Sequence, residues 1–227
     1  MDNKSVNPNI RLFQENRFLI LLLALFGVIL FFPLIDNIVN IQFMVEIFLS
    51  FLLLSCIFAV SFKKHHPIIA ALLALPTFTI MWTSHFIDIG GFEHVKNLFG
   101  MLFMLYMIIL FLEHFFRQDE INREVIFGAL VVYLLMGLMW GYGYTLLEHL
   151  QPGSFNHPAG LAELDLGAFD YFSFVTMTTL GYGDITPASE PAKAMVMTQA
   201  VSGQVYMAVL VARLVGINIA QRLEKKE

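Results

Sequence analysis

Charge is scarce in this chain: Asp, Glu, Lys and Arg make up 14% of its 227 residues, hydrophobic residues 58%, and the mean hydropathy is +0.72. So little charge cannot coat a soluble fold of this length, and it points to a membrane. Cysteine is scarcer still. The single Cys56 lies inside an apolar run, cannot form an intrachain disulfide, and reads as a small core residue. Low-complexity tracts are missing. The seven histidines have no ligand spacing and no nucleophile sits in a catalytic constellation, so neither an enzyme nor a resident metal or cofactor is expected. A net charge of -5 says little about soluble partners of such a chain, and no nucleic-acid partner is expected.

What is present in quantity is apolar sequence of spanning length. The runs are Phe18 to Ile35, Ile41 to Phe62, Ile68 to Ile89, Val95 to Phe116, Val125 to Leu147 and Ala192 to Val215. A hydrocarbon core of about 30 Å takes on the order of 20 helical residues, so each run predicts a spanning helix. Arg11 and Arg17 ahead of the first run imitate a signal peptide, but Phe31-Phe32-Pro33-Leu34 offers no small-residue cleavage site, which predicts a retained first helix.

With the N-terminus cytoplasmic, eleven of the 13 Lys and Arg fall on that side: Lys4, Arg11, Arg17, Lys63, Lys64, Arg117, Arg123, Arg213, Arg222, Lys225 and Lys226. Only Lys96 and Lys193 fall outside. This positive-inside bias predicts both termini in the cytoplasm, as an even number of spans requires. Few residues follow Val215, so no soluble regulatory domain is expected there.

The polar breaks between the first five runs are short, which predicts a compact four-helix bundle over residues 1–124. The rest, 125–227, is organised differently. A Pro/Gly-rich stretch, Gln151 to Gly160, reads as an exposed turret. The apolar Phe169 to Thr178 that follows is too short to cross a membrane. A helix that enters, stops and returns as extended chain is tolerated only where its irregular backbone is buried in protein or lines a watery cavity. The returning stretch is Thr178-Thr179-Leu180-Gly181-Tyr182-Gly183-Asp184, a polar loop in an apolar chain. Its two glycines relax φ restrictions at alternate positions. The expected fold class is therefore an all-α membrane protein: six transmembrane helices, with a re-entrant pore helix and loop between the fifth and sixth.

A second Gly-Tyr-Gly, Gly141-Tyr142-Gly143, is an internal control. No threonine pair precedes it, Tyr144 follows in place of an acid, and it reads as a small-residue packing face within the fifth helix. The tripeptide is weak evidence alone; its setting is the specific signal.

In that setting, Thr-Leu-Gly-Tyr-Gly-Asp resembles the selectivity filter of potassium channels, with Leu180 where Val or Ile is usual. The resemblance spans Val125 to Val215 and is to bacterial-type six-span channels. It implies a homotetramer in the plasma membrane, of bacterial inner-membrane type, passing K+ passively down its gradient. The carbonyls of Thr179, Leu180, Gly181 and Tyr182 would replace the ion's lost water, Thr179 would add its hydroxyl, and Gly183 would complete the loop. Thr178 and Asp184 would support the filter, Asp184 through a hydrogen bond from Tyr171; Val175 stands where some members carry a second acid. Gly203 would be a hinge or a helix contact. Gln204, polar at membrane depth, would face the cavity or bond across helices, and Met207, Val211 and Val215 recur on the Gly203 face.

Other features bear on ion passage. The half-helix would aim its partially negative C-terminal end at the pore axis. Glu148, Glu163, Asp165, Asp170, Asp184 and Glu190 lie between the fifth and sixth helices with a single lysine, enough to concentrate cations at the mouth. A voltage sensor is not expected, because Val95 to Phe116 holds no ladder of basic residues, only Lys96 at its edge. Glu46, His85 and Asp88 read as interfacial, and Lys63-Lys64-His65-His66 as topogenic charge able to meet anionic membrane lipid. A non-selective cation channel and a pore-incompetent accessory subunit remain the alternatives, and the stimulus, including any separately encoded regulator, is left open.

Overall fold

A computed structural model describes residues 16–34, 47, 50–57, 65–83, 90–118, 122–157 and 164–224. The predicted interfacial residues Glu46, His85 and Asp88, the pair Lys63-Lys64 and the mouth acid Glu163 lie outside the described residues. Among the described residues the fold is all-α apart from one two-residue strand pair. We label the helices α1 (Arg17–Leu34), α2 (His66–Thr83), α3 (Glu93–Phe116), α4 (Arg123–Leu150), α5 (Leu166–Met177) and α6 (Glu190–Glu224). Residues 50–57 of the second apolar run are also helical. Among the described residues, α2, α3, α4 and α6 are long and apolar enough to cross a membrane, and α1 contributes a shorter apolar stretch.

The helix limits follow local chemistry. The Asn122 side chain caps α4 by accepting from the Val125 amide at 2.9 Å, and a 3-10 turn, Gly90–Phe92, leads into α3. Such a cap satisfies an amide that the first turn leaves without a partner.

The core gathers on α4. Phe18 of α1 meets Phe111 and Phe115 of α3 edge-on, with ring centroids 5.2 and 5.0 Å apart, in a buried cluster that includes Val131 and Leu135 of α4. Arg17 pairs with Glu124, fastening the start of α1 to the start of α4. Lys96, the only Lys or Arg in α3, pairs with Glu93. Glycines let the helices close: a β-carbon at Gly100 would lie 2.6 Å from the Tyr142 ring, and one at Gly128 would overlap Phe115. Small residues at helix contacts are the usual packing device where lipid removes the hydrophobic drive.

A second cluster joins α4, α5 and the chain on either side. Tyr144, Phe155, Phe169 and Phe172 pack face to edge around Ile185 and Ala192. Gln151 to Gly153, Asn156 and His157 are exposed, as expected of a turret, but Ser154 and Phe155 between them are buried. The reason is a long-range pairing: Phe155–Asn156 runs antiparallel to Thr186–Pro187, and the Ser154 carbonyl accepts from Ala188 and Ser189. Glu148 completes the brace by accepting from the amides of Gly153 at 2.7 Å and Phe155 at 3.1 Å.

Candidate functional site

The short helix α5 starts at Asp165, whose carboxylate caps it by accepting from Ala168 N at 2.8 Å. It ends at Met177, and Thr178 Oγ1 donates back to the Phe174 carbonyl at 2.7 Å. At 12 residues it is about 18 Å long by the rise of a helix, well short of a bilayer core. The chain then leaves as a loop that regular helix or sheet does not describe.

That loop alternates in handedness. Thr179 has φ +63°, Gly181 φ +58° and Gly183 φ +80°, and Thr179 is the only non-glycine residue with positive φ among those described. Alternating left- and right-handed residues turn successive carbonyls toward one side of a strand, which an ordinary β-strand cannot do. Glycine adopts such a conformation freely, whereas a β-branched residue is held in it against a steric cost of roughly 1–2 kcal/mol. The restraint on Thr179 comes from its neighbours. The Thr179 amide donates to Thr176 O at 3.1 Å, and the amides of Leu180 and Gly181 both donate to Val175 O, at 3.0 and 3.2 Å. The donors of the loop's first half are thus taken up by the half-helix behind it.

The outer end has its own anchor. Tyr171 Oη donates to Asp184 Oδ2 at 2.7 Å, and Asp184 Oδ1 accepts from Ile185 N at 3.0 Å. The Tyr171 hydrogen bond holds the Asp184 carboxyl below its usual range, and the same bond pushes the Tyr171 phenol up to about 12. Thr178 through Asp184 are all exposed in the single chain.

The other acids around the loop do separate things. Asp165 is a cap, Glu148 a brace, and Glu190 pairs with Lys193 at 2.7 Å. Asp170, counted with the mouth acids from its position in the sequence, is turned against Gly141 of α4, where a β-carbon would collide with its Oδ1. That oxygen is enclosed and has no hydrogen-bond partner, and burial, followed by the charge of Asp165, holds the carboxyl well above the usual range. The second Gly-Tyr-Gly is accordingly a packing element: Gly141 admits Asp170, Tyr142 fills the space at Gly100, and Gly143 lies against Met195.

On α6, Gly203 is buried against α5, where a β-carbon would come within 2.7 Å of Met177 Cγ. Gln204 Nε2 donates to Met177 O at 3.4 Å. Met207, Val211 and Val215 are exposed in the single chain. Sequence reasoning passed over Gln199, which is wholly buried and bonded to both α4 and α5. A second polar residue within the same apolar helix was the available signal.

Residues 124–219 match a family model described as ion channel. The matched stretch runs from the first turn of α4 through the loop to the body of α6. No curated protein and no solved structure matches the chain.

Proposed function

We propose that the chain is one subunit of a homotetrameric potassium channel whose filter is Thr178 to Asp184. The observation that carries this reading is the alternation of positive φ at Thr179, Gly181 and Gly183 on an exposed strand. A monovalent cation entering such a strand exchanges water for the carbonyls of Thr179, Leu180, Gly181 and Tyr182, with the Thr179 hydroxyl at the inner end. Backbone dipoles suit a low-charge ion that must also leave, because a ring of carboxylates at this depth would hold it too strongly. Potassium is favoured over sodium by the intact Gly-Tyr-Gly in its threonine-led setting.

One strand cannot encircle an ion. In the single chain only 6% of the α6 spanning window is buried, against 56% for α4, so the loop and the inner helix share an open side that copies of the chain would cover. In that assembly α4 is the outer helix and α6 the inner helix, with Met207, Val211 and Val215 toward the cavity and Gly203 at the point where the inner helix leaves the half-helix. The half-helix points its C-terminal end at the ion path, where its partial negative charge favours a cation. Residues 1–124 form the accompanying helical bundle, giving six spans in all, with both termini cytoplasmic in a bacterial inner membrane and lipid around the bundle. With Lys96 neutralised by Glu93 and no basic ladder along α3, opening is not driven by voltage through that helix.

Purified protein in liposomes tests the reading by the rates of potassium and sodium uptake. Uptake of potassium far ahead of sodium supports it. Equal rates identify a non-selective channel, and no uptake of either identifies an accessory subunit.

A further inference from the structure

Gln199 is wholly buried in a helix that is otherwise nearly bare in the single chain. Its side-chain amide is fully engaged: Nε2 donates to Ser173 O at 3.1 Å and to Ser173 Oγ at 2.6 Å, and Oε1 accepts from Tyr144 Oη at 2.5 Å. Ser173 Oγ in turn donates to Gly137 O at 2.6 Å. The proton directions are forced. The carbonyls of Ser173 and Gly137 can only accept, so Nε2 must face Ser173, the serine must pass its proton to Gly137, and the tyrosine must donate to Oε1. Four residues from three helices are thereby joined with no spare donor, in a setting where an unmet polar group is expensive.

One turn further along each helix the contact recurs without the amide network. Gly203 of the inner helix closes on Met177, and Gln204 donates to the Met177 carbonyl. Inner helix and half-helix therefore meet along a seam at Ser173 and Met177. Val175, whose carbonyl holds the amides of Leu180 and Gly181, lies between those two points. A shift of the inner helix near Gln199 is carried to the half-helix and from there to the residue from which the filter hangs.

We propose that Gln199 is a positioning residue for ion selection: through Ser173 and Tyr144 it sets the half-helix that holds the filter, and it transmits inner-helix movement to the filter. This rests on the potassium-channel reading above. It touches no ion itself.

The test uses the full chain reconstituted in liposomes, with tetramer assembly followed in detergent and potassium and sodium uptake measured for each variant. Gln199→Leu keeps most of the volume and removes all three bonds. It is expected to assemble and to lower the potassium-to-sodium uptake ratio by about ten-fold, the effect of losing one to two buried hydrogen bonds from the selective geometry. Ser173→Ala is expected to act in the same direction, and adding it to Gln199→Leu should change the ratio little further, since both break one network. Gln199→Glu should recover selectivity as pH falls, because the protonated acid regains a donor for Ser173. An assembled Gln199→Leu channel with a ratio within two-fold of the parent overturns the proposal. If Gln199→Leu does not assemble, Tyr144→Phe and Ser173→Ala decide, and unchanged ratios in both overturn it. A parent protein that passes both ions equally sinks the potassium reading instead, and the network is then judged by whether Ser173→Ala and Gln199→Leu alter total cation uptake.

Discussion

Tyr171 Oη donates to Asp184 Oδ2 at 2.7 Å, so the half-helix holds the polar loop at its outer end as well as at its base. The bond lowers the Asp184 carboxyl from its ordinary value. A depressed folded value means that the bond stabilises the anchored loop in full above the ordinary carboxylate pKa, near 4, and that this is lost as pH falls through the lower folded value. Tyr171→Phe should therefore lower the potassium current at neutral pH, and the difference from the parent should vanish as external pH drops below that range. Currents recorded in bilayers at stepped external pH check this; a difference that persists in acid would show that the bond is not what matters.

The two Gly-Tyr-Gly triplets should fail differently when substituted. At Gly181 nothing lies within 4 Å of an added β-carbon, so the cost of Gly181→Ala is conformational, roughly 1–2 kcal/mol from φ +58°. Because the loop is exposed, that variant should relieve the strain by a local change of the loop backbone, so that it assembles, keeps most of its thermal stability and loses most of its potassium uptake, and Gly181→Asp should lose all of it.

Gly141→Ala should behave in the opposite way. Its β-carbon runs into Asp170, and overpacking of this kind costs about 1–3 kcal/mol, so the melting temperature in detergent should fall while the ion preference of surviving channels is kept. Equal loss of selectivity in the Gly141 and Gly181 variants would refute the division of roles.

Asp165→Ala should remove the cap of the half-helix and destabilise it by about 1 kcal/mol. Faster hydrogen exchange at the amides of residues 166–169, with the rest of the pore segment unchanged, is the expected signature.

What the sequence made legible was periodic or local. Long apolar runs announce helices, a short one announces a half-helix, and Gly181 and Gly183 announce alternate left-handed positions. Thr179 could not be read in this way, because its positive φ is imposed by the amides of its neighbours reaching back to Thr176 and Val175. Ser154 and Phe155 looked exposed since their surroundings are rich in proline and glycine, while their burial depends on a strand pairing with Thr186–Pro187 far along the chain. Asp170 was hidden among the mouth acids because spacing alone does not tell which side of a half-helix faces the outer helix. Gln199 and Gln204 look alike as polar residues in an apolar run; only the packing of three helices separates the buried one from the exposed one.

The most direct measurement of the central claim is the reversal potential of the purified channel in a planar bilayer with potassium chloride on one side and sodium chloride on the other. Selective carbonyl coordination at Thr179 to Tyr182 predicts a current that reverses only at a large potential opposing potassium flow, and that potential should collapse toward zero in Gly181→Ala. A reversal potential near zero in the parent protein would contradict the account.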